Sequence, residues 1–210
     1  MDIFTQISTE LQQGNDTRVG ELTQQAIQGG MTAKQILDEG LIAGMNVVGE
    51  QFRIHEIFLP EVLLAARAMY AGMDKIKPLL LKEGAPTRGK VVIGTVQGDL
   101  HDIGKNLVGI MLRGAGYEVI DLGNDVSPEK FVTTAMETGA KIIGMSALLT
   151  TTMPAMKRTV EHLNAEGLAG EIFTIVGGAP VSELYASEIG ANAYGFDGVS
   201  AVEQVRALIG

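Results

Sequence analysis

Residues 91–113 read VVIGTVQGDLHDIGKNLVGIMLR. A β-branched run, Val91–Thr95, passes through a glycine-punctuated loop, Val96 to Asn106, into a run with helical periodicity, Asn106–Arg113, which is the pattern of strand, turn and helix. Downstream the same alternation recurs four times: Val119–Asp121 then Pro128–Thr138, Ile142–Ser146 then Met153–Ala165, Ile172–Val176 then Ser182–Ile189, and Ala193–Phe196 then Ala201–Ile209. Five strand–helix repeats predict an α/β fold, a five-stranded parallel sheet covered on both faces in the flavodoxin or Rossmann manner. Ligands of such sheets bind beyond the carboxyl ends of the strands, so the loops after strands one, three and four are where chemistry is expected.

Upstream of residue 85 the period changes from two to between three and four. Ile3, Ile7 and Leu11, then Val19, Leu22 and Ala26, then Val62, Ala66, Met69, Met73 and Ile76 each share one helix face. Breaks stand at Gly14-Asn15, at Gly29-Gly30 and around His55 to Pro60. Thr32 with Gln35 fits a capping box opening a third helix, and Pro60 suits the first turn of the last one. Residues 1–81 are expected to form a bundle of four or five helices. The charged stretch Lys82 to Lys90, KEGAPTRGK, is the expected linker, able to reach at most about 30 Å. The chain is thus divided into a helical domain, 1–85, and an α/β domain, 86–210.

Composition narrows the function classes. Of 210 residues 46% are hydrophobic and the mean hydropathy is +0.20, which excludes intrinsic disorder. The net charge is −9, with 11 acids and 7 bases in residues 1–85 and 14 and 9 in the remainder. Neither half offers a basic face for phosphates, so nucleic acid and anionic membrane are excluded as partners. The absence of cysteine removes disulfides, thiolate metal sites and a cysteine nucleophile. Any metal must then be held by carboxylates or by the three histidines. The first residues, MDIFTQISTELQQGN, lack the basic start and apolar run of a signal peptide. The longest uncharged stretch, Ile142 to Met156, has 15 residues, short of the roughly 20 a spanning helix needs. A cytoplasmic location is expected.

The loop after the first strand fails both nucleotide templates. Gly94, Gly98 and Gly104 do not have the G-x-G-x-x-G spacing, and Gly98 to Gly104 has five intervening residues with Asn106 after Lys105, where a phosphate loop needs four and a serine or threonine. What the loop offers is His101 flanked by carboxylates. An imidazole ligates metal through one nitrogen while an acceptor, commonly a carboxylate, holds the other, and Asp99 stands two positions before it. Gly104 lets the chain turn into its helix beneath something bulky.

The segment D-x-H-x-x-G, Asp99 to Gly104, is followed after 41 residues by Ser146-Ala147-Leu148, and after 28 more by Gly177-Gly178. In identity, spacing and position on the loops this resembles the cobalamin-binding signature. Upstream, GMNVVGEQF (Gly44 to Phe52) and FLPEVLLAARAM (Phe58 to Met69) resemble the helical cap of cobalamin-dependent methionine synthase. They equally resemble the small corrinoid proteins of methanol, methylamine and methoxy-aromatic methyltransferase systems. The likeness covers nearly the whole chain.

The resemblance implies a corrinoid bound with its own lower base detached and His101 in its place as the cobalt's lower axial ligand. It implies Asp99 as the partner of that histidine, and Thr152 as the hydroxyl completing the relay, where methionine synthase has a serine. Ser146, Leu148 and Thr150 line a slot for the detached tail, Gly177 and Gly178 permit close backbone approach, and Tyr194 and Gly198 form the far side. Gly98, Asp102, Ile103 and Gly104 join this cofactor-binding set, and Phe52 and Leu59 of the cap cover the upper corrin face. The implied role is a non-catalytic methyl carrier. One methyltransferase loads the cobalt from a donor such as methanol, a methylamine or a methoxylated aromatic; a second passes the methyl to tetrahydrofolate or a thiol coenzyme; a reductive activator restores the corrinoid. Two alternatives share the motif. The small subunit of an adenosylcobalamin mutase generally lacks the cap, and a cobalamin light sensor needs a DNA-binding module and a cap tryptophan. Outside the motif, His55 and His162 are read as surface residues, the ten methionines as core filling, and Asp102 with Lys105 as a solvated helix start.

Overall fold

The computed structural model describes residues 2–83 and 87–210, and the chain forms two compact units. In the first, Asp2 caps α1 (Ile3–Gln12) by accepting the Thr5 N–H at 2.9 Å, and Asn15 caps α2 (Asp16–Gln28) through the Arg18 N–H at 3.2 Å. The capping box is present: Gln35 N–H donates to Thr32 Oγ1 at 3.2 Å and Thr32 N–H to Gln35 Oε1 at 3.1 Å. It opens α3 (Ala33–Gln35), which runs unbroken through a π-helical segment, Ile36–Ile42, into α4 (Ala43–Arg53). Glycines let α1 lie close to this continuous helix, since a Cβ on Gly40 would stand 3.1 Å from Ile7 and one on Gly44 3.1 Å from Leu11. The last helix, α5 (Leu59–Glu83), carries Pro60 in its first turn. The stripes read from the sequence form the bundle core, with Ile7, Leu11, Val19, Leu22, Ala26, Val62, Ala66, Met69 and Ile76 buried and Ile3 and Met73 half-buried.

The expected linker starts too early, because α5 continues through Glu83; its residues 84–86 lie outside the described residues. No helix among the described residues is long and apolar enough to cross a membrane.

The second unit is a parallel sheet of β1 (Lys90–Thr95), β2 (Glu118–Asp121), β3 (Ile142–Ser146), β4 (Phe173–Gly177) and β5 (Ala193–Gly195), in the order β2-β1-β3-β4-β5. Between and after the strands come α6 (Ile103–Gly114), α7 (Pro128–Thr138), α8 (Pro154–Ala165), α9 (Glu183–Glu188) and α10 (Gly198–Ile209). Val92, Ile143, Met145 and Val176 pack with Phe131, Met156 and Leu163 in one buried cluster on one side of the sheet. Two helices begin earlier than periodicity suggested. The capping box of Asp197 and Ser200 starts α10 at Gly198, and α6 starts at Ile103.

The strand order has a functional consequence. The chain leaves β1 for β2 on one side and returns to β3 on the other, so the loops after β1 and β3 part company. A crevice opens at such a switch point beyond the strand ends.

Candidate functional site

The loop from β1 reaches Asp99 through Gly98, whose φ of +87° is left-handed. Asp99 is fully buried, and its carboxylate collects five donors. Oδ1 accepts His101 Nδ1–H at 2.7 Å and the His101 backbone N–H at 3.1 Å. Oδ2 accepts the backbone N–H groups of Leu148 at 2.8 Å and Leu149 at 3.2 Å, and Thr152 Oγ1–H at 2.7 Å. Burial pushes the carboxyl up, but the hydrogen bonds from Thr152, His101 and Leu148 outweigh it and hold the group well below the usual carboxylate range. Asp99 is therefore an anion.

An ionised acceptor settles the imidazole tautomer: the proton sits on Nδ1 and the lone pair on Nε2. The His101 side chain keeps 52% of its exposure, and its backbone carbonyl is pinned by Thr95 Oγ1–H at 2.9 Å. The result is one nitrogen donor, fixed in direction, at the mouth of the crevice.

The loop after β3 is equally constrained. Ala147 N–H donates to the Gly177 carbonyl at 3.2 Å, Val96 N–H to the Ser146 carbonyl at 3.0 Å, and Tyr185 Oη–H to the Met153 carbonyl at 2.8 Å. The glycine pair is demanded by backbone packing. A Cβ on Gly178, at φ +124°, would lie 2.0 Å from the Ala147 carbonyl oxygen, and one on Gly177 would lie 2.7 Å from that of Gly195.

Gly104 differs. A Cβ there would meet nothing within 4 Å, so the first turn of α6 faces open space. The large apolar side chains of Leu100 on the histidine loop, Ile103 at the start of α6, and Leu148 and Leu149 on the loop after β3 are exposed. Among the described residues no group of three or more His, Asp or Glu could chelate a metal. Open apolar space beside one oriented nitrogen fits a large flat group that brings its own equatorial metal ligands, as a corrinoid does.

The structure thus joins Asp99, His101, Leu148, Leu149 and Thr152 in one hydrogen-bonded cluster, with Gly98 preceding it in the chain, Ser146 ending β3 and Thr150 exposed on the loop that follows. Asp102 opens α6, its carbonyl taking the Asn106 N–H at 2.7 Å. Tyr194 packs against the buried cluster of the sheet, and Gly198 is buried where a Cβ would stand 2.5 Å from Met111 Sδ. Phe52 and Leu59 are half-buried in the helical unit, where Ile54 and Phe58 are more exposed. His55 is exposed and His162 half-buried.

Lys105 corrects the sequence reading. It is buried, and its Nζ donates to both oxygens of Asp121 at 2.6 Å and to Asn106 Oδ1 at 2.7 Å. A counter-charge at the end of β2 is what lets a lysine leave water. Leu100, Leu149 and the loop after β2 were also not anticipated as parts of the site.

Comparison with known proteins bears on this geometry. Residues 89–208 match a family model described as a B12 binding domain, and residues 3–77 match a second model of that description. The chain is 40% identical over 213 residues to a corrinoid protein of Desulfitobacterium hafniense (strain Y51), covering 100% of this chain and 99% of that one. It is 43% identical over 197 residues to trimethylamine corrinoid protein 1 of Methanosarcina mazei, covering 93% and 91%. A chain in the crystal structure of the methanol:cobalamin methyltransferase complex from Methanosarcina barkeri superposes with a TM-score of 0.89 at 33% identity, covering 99% of this chain and 79% of that one.

Proposed function

The chain belongs to the family of cobalamin-binding corrinoid proteins, and from that premise we propose that it carries a methyl group on the cobalt of a bound corrinoid. A donor-specific methyltransferase loads the methyl, and a second methyltransferase passes it to tetrahydrofolate or a thiol coenzyme. The single observation that carries this reading is His101, with Nδ1 bound to a buried anion at 2.7 Å and Nε2 free of hydrogen bonds among the described residues. A relative named for trimethylamine and a structural neighbour from a methanol:cobalamin methyltransferase complex support a small donor of methyl groups.

The bound corrinoid supplies a cobalt that accepts and releases the methyl group. His101 would hold the cobalt through Nε2, the ring nitrogen that Asp99 leaves free. Asp99 keeps the proton on Nδ1 and strengthens the ring as a donor. Thr152 Oγ1–H and the backbone N–H groups of Leu148 and Leu149 keep Asp99 ionised. The exposed leucines and Ile103 would shed water on covering the ring, and the open space at Gly104 would leave room for it. Ser146, Leu148, Thr150 and the glycine pair would border the detached tail of the cofactor. A reductive activator completes the set of partners.

The test is spectroscopic. Purified protein loaded with cob(II)alamin is expected to show nitrogen superhyperfine splitting of the cobalt resonance, and His101→Ala to lose it. An unchanged cobalt environment in His101→Ala overturns the axial role. Methyl transfer in the presence of donor and acceptor methyltransferases separates the carrier from the mutase alternative, which rearranges a carbon skeleton instead.

A further inference from the structure

The histidine loop is gripped by a segment that no motif marks, the turn after β2. Asp125 in that turn has φ +54° and is, with His55, one of two non-glycine residues of positive φ among the described residues. Its backbone N–H donates to the Asp99 carbonyl at 3.0 Å, and its own Oδ1 accepts the Gly98 N–H at 2.7 Å. Next to it, Asn124 Nδ2–H donates to the Leu100 carbonyl at 3.3 Å, and the Gly123 carbonyl takes the Thr95 N–H at 2.9 Å. Three consecutive residues of the loop, Gly98, Asp99 and Leu100, are each held from this side.

Asp125 itself is exposed and contributes nothing to the buried core. A left-handed backbone persists at a residue with a Cβ only where its surroundings over-determine it, and here the over-determination is a reciprocal pair of hydrogen bonds aimed at the two residues before Leu100. Glycine would adopt the backbone more easily but could not take the Gly98 N–H. Aspartate or asparagine answers both requirements, being the residue types that tolerate this conformation and carry a short acceptor.

We propose that Asp125 is a positioning residue for the axial histidine. By fixing Gly98 and Asp99 it sets where the Asp99 carboxylate lies, hence how the His101 ring is held and where Nε2 points. The use made of Nε2 rests on the corrinoid reading; the positioning does not.

Three substitutions in the full chain separate conformation from hydrogen bonding. Asp125→Asn keeps both, Asp125→Gly keeps only the conformation, and Asp125→Ala keeps neither. The first readout needs no cofactor: ring nitrogen chemical shifts of His101, which report the share of the Nδ1–H tautomer. The second is cobalamin affinity with the nitrogen splitting of cob(II)alamin. Asp125→Asn is expected to match the parent in both. Asp125→Gly should lower the Nδ1–H share and weaken cobalamin binding about tenfold, the worth of one hydrogen bond, and Asp125→Ala should do at least as much while also lowering the melting temperature. If Asp125→Gly equals the parent in tautomer and affinity, only the backbone shape matters and the proposal is overturned. A parent protein that binds no cobalamin defeats the corrinoid reading, and the tautomer comparison still decides this one.

Discussion

The loop after β1 is built from side chains and the loop after β4 from their absence. Around Asp99 five donors converge on one carboxylate, so the geometry is a sum of bonds that can be removed one at a time. At Gly177 and Gly178 the backbones of three strand ends approach so closely that no side chain fits. The difference teaches where function and fold can be separated. A polar cluster can be weakened and still leave a folded protein to measure, whereas a steric junction either closes or does not.

The largest effect is expected at that junction. Gly178→Ala meets a carbonyl oxygen at 2.0 Å and a φ of +124°, and neither obstacle is a flexible side chain that could move aside. A loss of about 4 kcal/mol or more is expected, read as the shift of the urea unfolding midpoint. A loss below about 1 kcal/mol would show that the strand ends part easily, and the comparison would collapse.

Next comes Asp99→Asn. An amide can accept for only some of the five donors and turns an N–H toward others, so about 2–3 kcal/mol should be lost at neutral pH, with the chain still folded. The pH dependence has a definite sign. A carboxyl held below its ordinary value in the folded state contributes stability that is complete above the unfolded value of about 3.9 and fades as the pH falls below it. Unfolding measured down the acid limb should therefore show parent and variant converging below about pH 4. Parallel curves would mean that Asp99 is not the anion described.

How much of this was legible beforehand follows the same division. Features that repeat locally could be read, the strand–helix alternation and the Thr32–Gln35 box, whereas Thr152, 53 positions from Asp99, was reached only through the family resemblance. The order of the strands could not be read, because alternation is the same for every doubly wound sheet. Lys105 was misread because a lysine is ordinarily solvated, and only folding brings Asp121, sixteen positions on, to meet it. Asp125 left no trace because its meaning lies in a backbone angle and in a partner 27 positions away. The π-helical stretch Ile36–Ile42 was hidden for a related reason, since a widened turn barely alters the spacing of apolar residues.

A smaller effect sharpens the polar side of the comparison. Thr152→Val removes one of the five donors to Asp99 while keeping the shape, and should cost about 1 kcal/mol; Thr152→Ser should restore most of it, as measured by thermal unfolding. A loss in Thr152→Ser with none in Thr152→Val would assign the role of Thr152 to its methyl group, which packs 3.5 Å from where a Gly98 Cβ would be, and not to its hydroxyl.

The smallest effect on stability is expected at Gly104, and there the two kinds of glycine can be told apart most cleanly. Its backbone is not left-handed and a Cβ would touch nothing within 4 Å, while alanine is the better helix former. Gly104→Ala should leave the cofactor-free protein unchanged or up to about 1 kcal/mol more stable. If the space above the first turn of α6 is where a corrin lies, the added methyl intrudes on it, and cobalamin affinity should fall even as stability holds or rises. The two measurements must move in opposite directions. An alanine that stabilises the protein and binds cobalamin as well as glycine does would place the ring elsewhere, and leave Gly104 with no role that the fold alone does not already give it.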